Sequence, residues 1–496
     1  MPIATKQIHV VGAGLAGSEC ALQLAEKLGP SGYKIVLHEM RGSSDGTTTP
    51  AHRSNDCAEL VCSNSFGSLA AHAAPGLLKW EAETLGSKIL ESALDARVPA
   101  GQALGMDREK FASLVTAKVA AHPHIEIRRE LITSLDAVPR PAVIATGPLT
   151  HDSLAQSIRE HFTSSDSASE FLYFFDAIAP IVAADSINSK IAWKADRWNR
   201  GTKDYWNCPM TKKEYYFFID AIRDAKKIEP KEFEKDTPFF ESCMPIEAIL
   251  ARGPMTLRFG PMSPKGLPDP RTGNNPFAVV QLRQDNAEGT AYNMVGFQTK
   301  MAYGDQKSVF RLIPGLEEAE FLKLGSIHRN LYLNTPKLLN ADLSSKKDPW
   351  LFFAGQITGV EGYFESTCMG WLVAHLLMAK LRGESIESAL PPRESALGSL
   401  HRAITDETKI AHFQPTNINF GHMPEPPGFE WAAAQAVGRK VDKVQKKEEQ
   451  IRLAKLAMST WARERGIARP AVRVESAAQA LLALAEPAAT ETTAAP

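Results

Sequence analysis

The sequence predicts an α/β fold, in which a Rossmann-like nucleotide-binding domain is interrupted by a smaller α+β inserted domain and followed by a helical C-terminal tail. A strand, a glycine-rich turn, a helix and a second strand fill the first forty residues, and a similar pattern returns near residue 350. Between about residues 150 and 305, aromatic residues and prolines increase and period-two segments occur. We expect domain limits at 1–150, 151–307, 308–400 and 401–496.

The first βαβ unit begins with the apolar run at residues 8–11, which is typical of a buried parallel strand. Helical spacing follows, and the second strand, KIVLHE, ends at Glu39. The segments at 142–148 and 350–363 predict two further strands of the same sheet, each ending in glycine. The segments FAVVQLR and YNMVGFQ predict antiparallel or mixed pairing in the inserted domain.

Composition excludes several classes of protein. Hydrophobic residues make up 44% and charged residues 23% of the 496 residues, as in ordinary globular proteins. The six cysteines form no CxxC pair, so we expect neither a disulfide framework nor a metal site. No apolar run reaches the ~18 residues that cross a bilayer, and we expect a cytoplasmic protein with no membrane partner. With 56 basic and 57 acidic residues, binding to nucleic acid would require a local basic face.

A dinucleotide-binding turn follows the first strand. Gly12, Gly14 and Gly17 form GxGxxG between a strand and a helix. In such a turn, the glycines permit a tight bend, close approach of a pyrophosphate and close packing of the helix on the strand. Glu39 ends the next strand, where a carboxylate accepts hydrogen bonds from a ribose diol. The pattern therefore predicts a bound dinucleotide.

FAD is favoured over NAD as the resident dinucleotide. The ATG segment that ends at Gly147 and the later turn with Gly355 and Gly359 resemble the flavin-contacting parts of glutathione-reductase-like flavoproteins. The sequence has no clean second GxGxxG for a tightly held nicotinamide nucleotide. NADH or NADPH would then act as a visiting reductant.

Three cysteines are candidates for a reactive thiol. Cys62 and Cys243 lie among polar and turn-forming residues, and Cys208 is a third candidate. Cys20 and Cys368 fit a buried apolar environment, which is the commoner role of cysteine. A reactive thiolate needs partial exposure and positive or dipolar surroundings. The residues alone leave both roles open for Cys62 and Cys243.

The chain resembles the bacterial folate- and FAD-dependent tRNA (uracil-5-)-methyltransferases from about residue 8 to residue 425. A dozen motifs in register carry the resemblance. They are GAGLAGSE, ELVCSNSFGS, VPAGQALGMDRE, ATGPLT, FFDAIAPIV, DYWNCPM, FFESCMPIE, RGPMTLRFGPMSPKGL, AVVQLRQDN, NMVGFQT, IPGLEEAEF and AGQITGVEGYFES.

The resemblance implies transfer of a methylene group from 5,10-methylenetetrahydrofolate to C5 of a uridine in the tRNA T-loop. Reduced FAD supplies a hydride that completes the methyl group, and NADH or NADPH regenerates the flavin. The implied functional cysteines are Cys243, as the nucleophile that adds to uracil C6, and Cys62, as its acid/base partner or as the guard of an intermediate; the reverse assignment stays open. The implied FAD-binding residues are Gly12, Ala13, Gly14, Gly17, Glu39, Gly147, Gly355, Gln356 and Gly359.

A tRNA partner requires positive charge, and the inserted region contains a cluster of basic residues among aromatic ones. By themselves these residues fit a solvated surface as well as an RNA contact. The expected RNA-binding residues are Arg197, Arg200, Lys203, Lys212 and Lys213, interleaved with Trp198, Tyr205, Trp206 and Tyr215.

Several alternatives stay open. The same chemistry could act on a ribosomal RNA uridine, or the chain could be a flavin oxidoreductase without an RNA substrate, or an RNA-binding flavoprotein without catalysis. We expect a monomer or weak dimer. The lysine-rich tail after about residue 426 is expected to exceed the family pattern, and its last residues have the composition of a disordered terminus.

Overall fold

A computed structural model describes residues 6–44, 46–49, 51–163, 171–199, 203–228, 244–430 and 442–483. Two of the predicted site residues, Cys243 and Arg200, lie outside the described residues, as does the end of the tail.

The strands of the described residues alternate with helices along the chain. They are β1 (Gln7–Val11), β2 (Lys34–Glu39), β3 (Ser65–Ser68), β4 (Arg97–Val98), β5 (Ala103–Met106), β6 (Ile125–Arg129), β7 (Ala142–Ile144), β8 (Phe171–Ile178), β9 (Ile181–Ala183), β10 (Trp193–Lys194), β11 (Tyr205–Met210), β12 (Ala278–Gln284), β13 (Ala291–Met294), β14 (Phe321–Lys323), β15 (Ser326–Leu333) and β16 (Leu351–Phe353).

The α-helices of the same residues include long amphipathic helices and single turns. They are α1 (Leu15–Leu28), α2 (Ala74–Thr84), α3 (Lys88–Asp95), α4 (Arg108–Ala121), α5 (Asp152–Phe162), α6 (Lys212–Asp224), α7 (Ile246–Ala251), α8 (Thr256–Phe259), α9 (Tyr303–Phe310), α10 (Thr335–Leu338), α11 (Tyr363–Leu381), α12 (Ile386–Ala389), α13 (Ala396–Thr405), α14 (Lys443–Glu464) and α15 (Val472–Ala483).

The chain divides into two compact units. Unit 1 comprises Met1–Ala96, Asp107–Phe175 and Arg329–Val474, and unit 2 comprises the remaining segments, Arg97–Met106, Asp176–His328 and Glu475–Pro496. The limits predicted from the sequence, at 150/151, 307/308 and 400/401, stay predictions.

Unit 1 is built on a five-stranded sheet in the order β16-β7-β1-β2-β6. All four pairings are parallel, with Ile8 opposite Ile35 and Val10 opposite both Leu37 and Val143. The three central strands are almost entirely buried, as expected for a parallel sheet covered on both faces. Because the strand order reverses direction on either side of β1, ligands are expected at the carboxyl end of this strand.

Helices α1 and α11 pack closely against each other in unit 1. A Cβ at Gly370 of α11 would lie 2.1 Å from the carbonyl oxygen of Ala16, so the contact requires glycine. A Cβ at Gly355 would lie 2.7 Å from the Cβ of Ala16. The close packing therefore brings the late glycine-rich turn against the start of α1.

Two buried carboxylates of unit 1 cap helices that are distant in sequence. Glu19 accepts hydrogen bonds from the backbone nitrogens of Lys88 and Ile89, at the start of α3. Glu81 accepts from the nitrogens of Ala396 and Leu397, at 2.7 and 2.9 Å, at the start of α13. Each carboxylate satisfies N–H groups that a helix leaves unpaired at its first turn.

Unit 2 contains a six-stranded sheet in the order β10-β11-β12-β13-β9-β14, and its pairings are antiparallel. Antiparallel or mixed pairing was predicted for the segments FAVVQLR and YNMVGFQ, and the strands within them, β12 and β13, pair antiparallel. Helix α6 buries Tyr215, Phe218, Ile219 and Ile222 in the core of this unit. These residues follow the i, i+3, i+4, i+7 spacing of an amphipathic helix.

Candidate functional site

Four glycine- or acid-bearing turns lie at the carboxyl edge of the parallel sheet of unit 1. Gly12 follows β1, Glu39 ends β2, Gly147 lies three residues after β7, and Gly355 lies two residues after β16. Because the carboxyl ends of parallel strands share one edge, these residues meet there. The structure thus brings together the residues for which a dinucleotide site was predicted.

The turn after β1 has the geometry of a pyrophosphate-binding turn. Gly12 has φ +98°, and a Cβ at Gly17 would lie 1.8 Å from the carbonyl oxygen of Gly12. At Gly14 a Cβ would contact no described atom within 4 Å, so the backbone is open at the first residue before α1. No side chain caps the start of this helix in the described residues, and its N–H groups are therefore available to an anion.

Glu39 lies beside this turn and is held by Arg41, a residue that the sequence analysis missed. Glu39 accepts hydrogen bonds from the backbone nitrogen of Ala13 at 2.9 Å and from the backbone nitrogen and Nε of Arg41, both at 2.9 Å. Burial raises the pKa of Glu39, but the charge and hydrogen bonds of Arg41 outweigh it and hold the pKa below its ordinary value. The carboxylate is therefore ionised and fixed in orientation.

A cavity next to Glu39 has the lining expected of a nucleotide site. Its walls include Gly12, Gly14, Glu39, Arg41 and the loop after β7 with Thr146 and Thr150. Gly147, in that loop, has φ +66°, and a Cβ there would contact no described atom within 4 Å. The open backbone and the ionised carboxylate of Glu39 fit a dinucleotide.

The late glycine-rich turn is a short 3₁₀ helix over Gly355–Thr358. Gly355 and Gly359 have φ +81° and +80°, which only glycine adopts readily. Gln356 is half-buried in this turn. Helix α11 begins four residues after Gly359, so the turn leads into a second helix N-terminus, as predicted.

Cys62 lies on a loop of unit 1 whose backbone is held from two sides. The N–H of Cys62 donates to the phenolic oxygen of Tyr363 at 2.6 Å. Arg108 donates from Nη1 to the carbonyl oxygen of Leu60 at 2.6 Å and from Nη2 to that of Cys62 at 2.9 Å. Cys62 is half-buried, which leaves its side chain partly accessible. Neither Arg108 nor Tyr363 was identified from the sequence.

The same loop is tied to the dinucleotide turn. The N–H of Ala58, which has φ +54°, donates to the carbonyl oxygen of Ala13 at 2.8 Å. The N–H of Ala13 in turn donates to Glu39. Ala13 of the GxGxxG turn therefore links the carboxylate of Glu39 to the loop that bears Cys62.

The other described cysteines are buried. They are Cys20, Cys57, Cys208 and Cys368. Burial raises the pKa of each of these thiols, so they stay protonated at neutral pH. Cys208, the third candidate from the sequence, lies in the core of unit 2 and is excluded as a nucleophile on this ground.

A buried cation lies near the start of α11. Lys79 is fully buried, and its Nζ lies 4.8 Å from the ring centroid of Phe364. Burial lowers the pKa of Lys79 to about 8, against the opposing charge of Glu365. Burial also raises the pKa of Glu365, which the charge of Lys79 opposes. This pair could not be identified from the sequence, because its members are distant along the chain.

The basic residues predicted for RNA binding differ in their surroundings within unit 2. Lys212 and Lys213 are exposed at the start of α6, and Lys203 is exposed beside β11. Arg197 is half-buried and donates from Nη1 to the carbonyl oxygens of Ser263 and Lys265, both at 2.9 Å. Arg197 therefore holds a loop of its own unit, whereas the lysines face solvent.

The prediction that Tyr215 stacks on a base is wrong. Tyr215 is fully buried in the core of unit 2, and its hydroxyl donates to the carbonyl oxygen of Pro254. It cannot stack on a base. Trp198 is 58% exposed, and two aromatic residues that the sequence analysis did not select, Phe217 and Phe259, are 64% and 75% exposed. The position of Phe217 opposite the apolar stripe of α6 was the signal that could have identified it.

Comparison with known proteins places these features in a family. The family described as glucose inhibited division protein A matches residues 7–385. A methylenetetrahydrofolate–tRNA-(uracil-5-)-methyltransferase TrmFO from Bdellovibrio bacteriovorus is 64% identical over 92% of this chain and 98% of its own. The chain belongs to the TrmFO family. A TrmFO protein from Rubrobacter xylanophilus is 47% identical over 94% of this chain and 98% of its own.

The TrmFO relatives cover different shares of this chain, 94% for the Rubrobacter xylanophilus protein and 84% for one from Rhizorhabdus wittichii. The expectation that the tail after about residue 426 exceeds the family pattern stays a prediction. The solved structure of Aquifex aeolicus GidA is similar in fold, with a TM-score of 0.61 and 14% identity over 95% of this chain and 77% of that one. The predicted α/β fold class is confirmed.

The described residues of this TrmFO family member offer neither a metal site nor a membrane-spanning helix. They contain no group of three or more His, Cys, Asp or Glu side chains that could hold a metal ion. No described helix combines the length and apolar character needed to span a bilayer.

Proposed function

We propose that the chain methylates C5 of a uridine in the tRNA T-loop, taking the carbon from 5,10-methylenetetrahydrofolate. The observation that carries this proposal is the 64% identity to a TrmFO methyltransferase over nearly its whole length. The dinucleotide site of unit 1 and the accessible Cys62 support it, because the reaction needs both a hydride-carrying cofactor and a thiol.

FAD is the proposed resident cofactor of the dinucleotide site. Glu39, oriented by Arg41, would accept hydrogen bonds from the ribose hydroxyls, and the open backbone at Gly14 would receive the pyrophosphate. The turn that contains Gly355, Gln356 and Gly359 would contact the flavin side. When bound, FAD supplies the hydride that completes the methyl group, and NADH or NADPH restores its reduced form.

The cysteines supply the activation of the uracil. C5 of uracil is a poor nucleophile until a thiolate adds to C6, after which the electron pair of the C5–C6 double bond forms an enolate that attacks the folate methylene. We assign the nucleophile to Cys243, which lies outside the described residues, and the role of acid/base or guard of an intermediate to Cys62. A base then removes the C5 proton, and tetrahydrofolate leaves as its C–N bond to the methylene carbon breaks, which forms an exocyclic methylene group. This group accepts the hydride, and the thiolate finally leaves C6 to restore the C5–C6 double bond.

Arg108 and Tyr363 act through the backbone on either side of Cys62. By holding the carbonyl oxygens of Leu60 and Cys62 and the N–H of Cys62, they restrict the position of the thiol. A restricted side chain loses less entropy when it reaches the reactive geometry. We therefore assign Arg108 and Tyr363 as positioning residues.

The exposed lysines of unit 2 are the proposed tRNA contacts. Three lysines, Lys203, Lys212 and Lys213, are exposed and can contact an RNA backbone without any rearrangement of the core of unit 2. Such contacts to phosphate groups supply much of the affinity for RNA. Arg197 is proposed to support the loop that contains Ser263 and Lys265, and Arg200 stays a prediction. We also propose that the enzyme is a cytoplasmic monomer or weak dimer.

Transfer of labelled carbon tests the function. The protein, reduced with NADPH, is incubated with methylenetetrahydrofolate labelled in the methylene carbon and with an unmodified tRNA transcript or a ribosomal RNA fragment. The proposal expects label in 5-methyluridine of the tRNA. If label appears only in ribosomal RNA, the substrate is a ribosomal RNA uridine. If the flavin is bound and reducible but no RNA is labelled, a flavin oxidoreductase is favoured.

Trapping tests the cysteine assignment. A tRNA containing 5-fluorouridine cannot lose the C5 substituent as a proton, so the thiolate adduct at C6 accumulates. Cys243→Ala is expected to abolish this adduct and to retain FAD. If the adduct persists in Cys243→Ala and disappears in Cys62→Ala, the two roles are reversed.

A further inference from the structure

A second cavity of unit 1, of about 280 Å³, lies beside the end of α11. Helices α1 and α11 and the segment around the end of α14 provide its walls. Cations exceed carboxylates by two in its lining, and the histidine there is uncharged because burial lowers the pKa of His375 to about 4. The charged lining residues are Lys27, Arg382, Arg465, Arg469, Glu384 and Glu464.

This cavity is separate from the dinucleotide site. The two share no lining residue among those described. Helix α11 starts after Gly362, at the late glycine-rich turn, and the first residue of α11 that lines the second cavity is Trp371. Nine residues of α-helix span about 14 Å. The cavity is therefore too far along α11 to deliver a hydride at the glycine-rich turn.

The wall of the cavity contains a buried polar atom that lacks a partner. His375 is 7% exposed, stacks on Trp371 with ring centroids 5.1 Å apart, and has no hydrogen-bond partner for Nε2 among the described residues. Buried polar atoms are nearly always paired, so such an exception indicates a missing water, ion or ligand. Nε2 of a neutral imidazole donates a hydrogen bond when it carries the ring proton.

Arginine side chains at the cavity are already held in place. Arg465 donates from Nη1 to the carbonyl oxygen of Ser388 at 2.9 Å and forms an ion pair with Glu384. Arg469 pairs with Glu26 at 2.9 Å. A fixed guanidinium with further N–H groups is well suited to phosphate oxygens. Lys27 and Arg382 add charge at the exposed rim.

We propose that this cavity is a binding site for a phosphate group, and that its source is a phosphodiester of the RNA substrate. The net positive lining, the fixed guanidinium groups and the unpartnered Nε2 of His375, in the tautomer that donates, all match an oxyanion. The volume admits about one nucleotide. The choice of RNA over a free nucleotide rests on the proposed function, because a tRNA substrate is large enough to contact α14 as well as the reacting site.

Charge reversal at the rim tests the site. Lys27→Glu/Arg382→Glu changes only partly or fully exposed side chains, and Lys27→Arg/Arg382→Lys preserves the charge. The matched control is Arg402→Glu/Lys409→Glu, which makes the same change of charge on unit 1 away from the cavity lining. The dissociation constant for an unmodified tRNA transcript is measured between about 50 and 200 mM salt, where phosphate contacts dominate. The dissociation constant for AMP is measured separately by calorimetry.

We expect the Glu double variant to weaken tRNA binding about tenfold and to reduce the slope of log K against log salt by about 1, with the other two variants near the original protein. Equal tRNA affinity in the Glu variant and the control would overturn the proposal. Loss of AMP binding with unchanged tRNA affinity would overturn the RNA source. Because binding is measured without turnover, a protein that binds but does not methylate tRNA would refute only the proposed function.

Discussion

Arg108 donates a hydrogen bond from Nη2 to the carbonyl oxygen of Cys62, at 2.9 Å, and its Nη1 reaches the carbonyl oxygen of Leu60. The guanidinium therefore spans the loop that presents the Cys62 thiol. Arg108 is the first residue of α4, whose preceding residue, Asp107, caps the helix by accepting from the N–H of Lys110. The loop is thus anchored to a regular element of unit 1.

Replacing Arg108 is expected to affect catalysis more than cofactor binding. Arg108→Ala should lower kcat about 10- to 100-fold, since a misplaced reactive group loses this order of rate. Flavin content should stay unchanged. Arg108→Lys keeps the charge but loses one of the two hydrogen bonds, so its kcat should lie between that of the original protein and that of Arg108→Ala. Steady-state kinetics with a tRNA transcript provide the measurement, and an equal loss of bound FAD in Arg108→Ala would contradict a role confined to positioning.

Glu39 is expected to determine FAD affinity. Glu39→Gln removes the negative charge that orders Arg41 and that strengthens the hydrogen bonds from the ribose hydroxyls. Charge-assisted hydrogen bonds contribute about 1.5–3 kcal/mol. The dissociation constant for FAD should rise about 10- to 100-fold, as measured by flavin fluorescence on apoprotein. Glu126→Gln, on the neighbouring strand β6, is the control and should leave FAD affinity unchanged. Unchanged affinity in Glu39→Gln would refute the assignment of the ribose site.

Glu81 is expected to make stability fall with rising pH. Burial raises the pKa of Glu81 to about 8, despite its hydrogen bonds from Leu397 and Ala396, whereas the unfolded value is about 4.5. The folded state therefore binds the proton more tightly, and this contribution to stability is present below pH 4.5 and is lost as the pH rises to about 8.

The comparison with Glu81→Gln isolates this effect from other titrating groups. Between pH 5 and 8 (about the window set by the two pKa values), the free energy of unfolding of the original protein should decline relative to that of the variant. Denaturant melts at a series of pH values provide the measurement. Parallel pH profiles for the two proteins would show that Glu81 is ionised in the folded state.

The exposed lysines at the start of α6 are expected to contribute to tRNA affinity. Lys212→Glu/Lys213→Glu should raise the dissociation constant for a tRNA transcript about tenfold and lower its salt dependence, because two phosphate contacts are lost. Lys190→Glu/Lys307→Glu changes the charge of the same unit equally at two other exposed positions and is the control. Filter binding at several salt concentrations measures both effects. An equal loss of tRNA affinity in both double variants would indicate that affinity depends on the total charge of unit 2 rather than on a contact at the start of α6.

The fold of the dinucleotide site was predictable because its signals are local. The apolar runs of β1 and β2, the glycine spacing between them and Glu39 at the end of β2 lie within forty residues, and the structure places them as expected. The late turn with Gly355 and Gly359 was predictable for the same reason. Periodicity and turn chemistry act over a few residues, so one sequence is enough to identify them.

The support of the site was not predictable, because it depends on long-range contacts. Arg108 reaches Cys62 across 46 residues, and Tyr363 reaches it across 301. The interpretation of Tyr215 as a stacking residue failed for another reason. The prediction rested on the mixture of aromatic and basic residues in the segment. It did not consider that Tyr215, Phe218 and Ile222 lie on one side of helix α6, which faces the core.

The central claim is that the methyl group is assembled from a folate methylene and a flavin hydride on a tRNA uridine. Protein reduced with dithionite in D₂O carries deuterium at the transferable position of its flavin, and a single turnover with methylenetetrahydrofolate and unmodified tRNA then labels the product. The 5-methyluridine released by nuclease digestion should be heavier by one deuterium than the product made in H₂O. A methyl group without deuterium would show that its third hydrogen comes from elsewhere and would contradict the account.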